Sequence, residues 1–193
     1  MNAKRLLASL FLGAVITELF LGEFCGALPQ VPPFHLIDQN NQPFTKTNLL
    51  GKTTVLSFFF ASCPSICPLQ HRRLLIVKKS ININTDLIQF VSITVDPERD
   101  SPSELWKYAE KNGVGANWFF LTGDKNTITA LSEYVFKLGS IKEPAAHSTR
   151  AVIIDRAGEI EDFFQIMSDD DLKRLEKRLI SEVINKNQIA SQK

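Results

Sequence analysis

Ser57-Phe-Phe-Phe-Ala-Ser-Cys-Pro-Ser-Ile-Cys-Pro-Leu-Gln-His71 joins an apolar run to two cysteines separated by three residues. The run from Val55 to Phe60 is short, continuous and rich in β-branched and aromatic residues, the signature of a buried strand. Helical periodicity follows Cys67, with Leu69, Leu74 and Val77 returning on a similar face. The cysteines therefore stand where a strand hands over to a helix. Unpaired N–H groups and the macrodipole favour anions there, so Cys63 and Cys67 are expected to be more acidic than ordinary thiols and to be reactive or metal-binding.

Outward from this turn, signals for other elements come at regular intervals. Phe34 to Asp38 and Pro43 to Thr45 read as a short hairpin about the turn Gln39–Gln42, preceded by a proline-rich linker, Pro29 to Pro33. Leu87 to Val95 is strand-like and ends at Asp96-Pro97. Ser101 with Pro102 and Glu104 opens a helix that stops at Asn112-Gly113. Trp118 to Leu121 is a strand, and Asp124 caps a helix with the apolar stripe Ile128, Leu131, Val135 and Leu138. Arg150 to Asp155 and Ile160 to Phe164 form a hairpin, and Ser168 with Asp171 starts a last helix that frays from about Asn185. Strands separated by helices give a parallel centre, and the late hairpin adds antiparallel strands. The expected fold is α/β: a thioredoxin-like three-layer α/β/α sandwich with a mixed central sheet and an N-terminal hairpin.

The chain has 193 residues and a formal net charge of +1, with no basic run interleaved with aromatics, which argues against a nucleic-acid partner. Lys4-Arg5 precedes an apolar run, Leu6 to Phe24, broken by Glu18 and Glu23. Such a pattern directs export, as a signal peptide or weak membrane anchor over residues 1–28, and places the domain 29–185 on the periplasmic face of a bacterial inner membrane, with a tail at 186–193. Cys25 invites a lipoprotein reading, against which the bulky Phe24 stands. Outside the cytoplasm thiols meet oxidants, so reduced thiols there need a reason to persist.

Two soft thiolates favour copper(I) or zinc, and a third ligand is needed. His35 lies in the early hairpin and reads as packing or surface. His71 continues the four-residue spacing after Cys67 but reads first as a solvated residue beside Arg72 and Arg73. His147 sits in the loop before the Arg150 strand, where dithiol enzymes of this fold place a cis-proline, and is the favoured ligand. The rival reading is a redox dithiol in which Cys63 attacks and Cys67 resolves; it needs no histidine.

The chain resembles the Sco/SenC family. The matching segments are Pro33–Gln39, Gly51-Lys52, Phe60-Ala-Ser-Cys-Pro-Ser-Ile-Cys-Pro68, Val91-Ser-Ile-Thr-Val-Asp-Pro-Glu-Arg-Asp-Ser-Pro102, Trp118–Gly123 and His147 before a strand. The resemblance implies a tethered, monomeric copper chaperone that holds one copper ion, Cu(I) or Cu(II), through Cys63, Cys67 and His147. It also implies assistance to assembly of the binuclear copper centre of cytochrome c oxidase, by metal delivery or by keeping the receiving cysteines reduced while the Cys63–Cys67 dithiol is oxidised to a disulfide. The partner would be the copper-receiving subunit of the oxidase or another cuproprotein. The chain departs from the family at Ala145-Ala146, where a more polar pair is usual.

Overall fold

The structure, a computed structural model, describes residues 28–81, 86–138 and 148–190, with backbone alone for 185–190. In chain order the elements are β1 (His35–Asp38), β2 (Pro43–Thr45), β3 (Thr53–Phe59), α1 (Ile66–Ser80), β4 (Ile88–Thr94) and α2 (Pro102–Asn112). Then come β5 (Trp118–Thr122), α3 (Lys125–Thr129, continued by a π-helical turn over Ala130–Val135), β6 (Arg150–Ile154), β7 (Ile160–Gln165) and α4 (Asp169–Ala190). The seven strands make one sheet in the order β2-β1-β5-β4-β3-β6-β7. β3, β4 and β5 run parallel at its centre, while β1 and β6 flank them antiparallel.

Every residue of β3 and β4 is buried, as expected of central strands covered on both faces. Side chains alternate between two cores because strand residues point to opposite faces. Val55, Phe59, Phe90, Trp118 and Phe120 pack under α1, α2 and α4. Leu56, Phe58, Val91 and Ile93 pack with Ile128, Leu131 and Phe136 on the other face. This is the three-layer sandwich expected of the sequence.

Local signals set the helix starts. Ser101 Oγ accepts from the Glu104 N–H at 3.4 Å, and Gly113 ends α2 at φ +60°. Asp124 Oδ2 accepts from the Thr127 N–H at 2.8 Å, and Ser168 Oγ from the Asp171 N–H at 3.3 Å. Two sequence expectations change. Pro29–Pro33 is not a free linker: Val31 is fully buried and its N–H donates to the Gly158 carbonyl, while Ile160 donates to Pro29. The apolar Val31 side chain draws the stretch onto the β6–β7 hairpin. The last helix continues past Asn185 to Ala190, with neither glycine nor proline to stop it.

Candidate metal centre

The cysteine turn is assembled by the end of β3 and the start of α1. The Cys63 N–H donates to the Phe60 carbonyl at 3.2 Å, which folds the chain back after the strand. Cys63 precedes the helix; Cys67 lies in its first turn, beside Pro68, whose missing N–H leaves nothing unsatisfied at this position. The two cysteines are thus not both helical. Instead the Cys67 N–H reaches Cys63 Sγ at 3.4 Å, so the helix N-terminus is aimed at one sulfur. Both cysteines are buried, and no disulfide joins them in this structure.

Their acidities separate. Burial opposes ionisation of Cys63, but the N–H groups of Cys67, Ser65 and Ile66 outweigh it and hold this thiol below its ordinary pKa. Burial pushes Cys67 well above the usual thiol range, and the charges of Cys63 and Asp100 add to the rise. Cys63 is the more acidic thiol of the pair, and Cys67 the less acidic.

Asp100 ties this turn to the loop after β4. It is 2% exposed. Its Oδ2 accepts from the Ala61 N–H at 2.9 Å and from the Thr94 hydroxyl, which in turn accepts from the Asp96 N–H at 3.0 Å. Burial raises the Asp100 pKa, these hydrogen bonds oppose the rise, and Asp96 and Glu104 reinforce it. Asp100 lies in the segment Val91–Pro102, where the sequence alone assigns it no role. The available signal was an acid wedged between Asp96-Pro97 and the helix cap Ser101.

His71 is neither solvated nor turned to the cysteines. It is 1% exposed, with Nδ1 2.8 Å from Tyr108 Oη and Nε2 3.0 Å from Ser92 Oγ. Phe59, Tyr108, Trp118 and Phe120 meet its ring edge-on. The sheet face under α1 is aromatic, and a buried imidazole survives there because both nitrogens are satisfied. His35 is exposed on β1. His147 lies outside the described residues, as do Cys25 and the leader. Among the described residues no three histidine, cysteine or carboxylate side chains are grouped to hold a metal, no peptide bond is cis, and no helix is long and apolar enough to cross a membrane. β6 pairs antiparallel with β3, with Ala151 opposite Ser57. It therefore enters the sheet at the end of β3 that leads into Cys63.

The sequence matches the profile of the family described as SCO1/SenC over residues 26–180. The chain belongs to the SCO1/SenC family. A putative copper-binding protein of Stutzerimonas stutzeri is 33% identical over 132 residues, 67% of this chain and 62% of that protein. An SCO2-like protein of Rickettsia felis is 30% identical over 143 residues, 70% of this chain and 69% of that protein. The chain thus spans just under two thirds of the first relative's length. Among solved structures, a SCO1/SenC family lipoprotein from Bacillus anthracis superposes with a TM-score of 0.70 at 28% identity, covering 81% of this chain and 99% of that one. Yeast Sco1 with copper bound superposes with a TM-score of 0.63 at 28% identity, covering 82% of this chain and 94% of that one. The SCO1/SenC fold is thus shared across the described sheet and its helices.

Proposed function

We propose that this SCO1/SenC chain is an exported copper carrier that binds copper(I) through Cys63 and Cys67, with His147 as third ligand, and delivers it to a cuproprotein of the cytochrome c oxidase type. The observation that carries this reading is the cysteine turn itself. Two neighbouring cysteines, one of them more acidic than an ordinary thiol, are a soft donor pair suited to copper(I). His147 is proposed because it immediately precedes Ser148, two residues before β6, and β6 joins β3 at the cysteine end. A histidine on a loop can leave the metal without disturbing the sheet, which opens a coordination position for the receiving protein. The copper-bound yeast relative supports the choice of metal. Residues 1–28 are proposed to export and tether a monomeric domain over 29–185 at the periplasmic face, in line with the lipoprotein relative.

One observation favours a second activity at the same pair. A low-pKa Cys63 beside a high-pKa Cys67 is the division of labour of an attacking and a resolving thiol. In that mode Cys63 attacks a partner disulfide, Cys67 displaces the mixed disulfide, and the partner leaves with two thiols while Cys63 and Cys67 become oxidised. Copper(I) titration of the reduced protein separates the two activities. One copper per chain, weakened strongly by Cys63→Ser or Cys67→Ser and clearly by His147→Ala, supports delivery. Weak binding indifferent to His147, with rapid disulfide cycling, leaves the thiol reductase.

A further inference from the structure

A cleft of about 600 Å³ opens beside Cys63, between the start of α1 and the outer face of α2. Four cations line it: Arg72 on α1, Arg99 in the loop after β4, and Lys107 and Lys111 on α2. Two carboxylates face them, Asp100 and Glu104. Four positive and two negative charges leave a surplus of two on a chain whose total is only +1. Among the described residues two of the four cations are already paired, and two are not. Asp100 already accepts from the Ala61 N–H and the Thr94 hydroxyl. Glu104 holds Lys107 at 2.7 Å, and Arg99 lies 3.5 Å from Asp96. Arg72 and Lys111 make no hydrogen bond or ion pair among the described residues.

We propose that this cleft docks an acidic polypeptide segment of the receiving protein and so brings that protein's own ligands to Cys63. An extended segment fits better than a small anion. The cations come from three elements, and Lys107 and Lys111 are spaced one turn apart on one face of α2, which offers an extended acidic chain more than one point of attachment. Like-signed charge along a concave surface raises the local concentration of an oppositely charged partner by about 10-fold to 1,000-fold and guides its approach. That the partner is a copper acceptor rests on the function proposed above; the preference for acidic chains does not.

The test uses full-length reduced protein in a nonionic detergent, with fluorescein-labelled hexaglutamate and hexalysine peptides read by anisotropy. Hexaglutamate is expected to bind at about 0.01 M salt, where charges are felt over about 30 Å, and to weaken strongly by about 0.1 M, where the reach is about 10 Å. Hexalysine is expected not to bind. The double variant Arg72→Glu, Lys111→Glu should weaken hexaglutamate at least about tenfold, while Arg72→Lys keeps it. Bound hexaglutamate should also slow alkylation of Cys63 by iodoacetamide. Equal binding of both peptides, indifference to the double variant, unslowed alkylation, or full displacement by an equal charge of inorganic phosphate would each overturn the proposal. Copper(I) titration of the same samples keeps the two readings apart. Retained copper binding without hexaglutamate binding defeats only the docking site, and hexaglutamate binding without copper defeats only the metal reading.

Discussion

The backbone N–H of Cys67 points at the Sγ of Cys63 across 3.4 Å. One peptide group thus treats the two cysteines unequally: its N–H stabilises the Cys63 thiolate, while the Cys67 side chain is left in the apolar layer under α1. Iodoacetamide should therefore alkylate Cys63 (in Cys67→Ser) with a midpoint below the ordinary thiol pKa of about 8.5, and Cys67 (in Cys63→Ser) far above it. A depressed folded pKa means that Cys63 contributes stability above the unfolded pKa and loses it as pH falls through the folded one. Equal midpoints in the two variants would contradict the geometry.

Copper affinity should carry the same asymmetry. Binding must expel the Cys67 proton, which burial holds far into the alkaline range. Above the Cys63 midpoint, copper(I) affinity should rise about tenfold per pH unit, one proton being displaced. Below the Cys63 midpoint it should rise about a hundredfold per unit, two being displaced. Competition against a chromogenic copper(I) chelator, run on both sides of the Cys63 midpoint, reads both slopes. A flat profile would show that the two thiols are not the ligands.

Ser92 is the hub of the buried polar cluster beneath α1. Its Oγ accepts from Trp118 Nε1 at 3.0 Å and lies 3.0 Å from His71 Nε2 and 3.3 Å from Ser57 Oγ. Ser92→Ala strips the indole and the imidazole of a common partner, and neither is exposed enough to recruit water. We expect a loss of about 1–3 kcal/mol, read as a Tm lower by about 2–4 °C for each kcal/mol in a chain of this size. Tyr108→Phe removes only the Nδ1 partner and should cost less. A neutral Ser92→Ala would mean that the cluster is not tightly closed.

Asp100 should make stability depend on pH in the opposite sense to Cys63. Burial, partly opposed by the Thr94 and Ala61 hydrogen bonds, raises its folded pKa above the unfolded value. The folded state then holds the proton longer, so its contribution is complete below the unfolded pKa and declines as pH rises through the folded one. Asp100→Asn keeps an acceptor for the Ala61 N–H and cannot titrate. The stability of the natural protein relative to this variant should fall as pH rises from about pH 4 through the folded Asp100 pKa, measured by urea unfolding. A gap that widens with pH would mean that the hydrogen bonds outweigh burial.

Element order was legible in the chain because its signals are local. Ser101-Pro102, Asp124 and Ser168 each satisfy N–H groups within three residues, and the run Val55–Phe60 announces a strand covered on both faces by its lack of alternation. The cysteine turn was legible for the same reason, since strand, proline-flanked thiols and helix follow one another in sequence. His71 was misread because helix spacing gives a face but not what covers that face. Its neighbours Tyr108, Trp118 and Phe120 arrive from α2 and β5, distant in sequence. Val31 was misread in the same way, its cover being the β6–β7 hairpin.

The sequence by itself determined the strand–cysteine–helix succession, the alternation of strands and helices, and the family's motif residues, because each depends on spacing along the chain. Tertiary structure alone decided which thiol is the acidic one, which acid braces the turn, and where the cations collect. Those properties depend on distances across the sheet and on burial. The burial that raises Cys67, the Asp100 carboxylate that reaches Ala61, and the cleft that gathers Arg72 with Lys111 come into being only when separate elements pack.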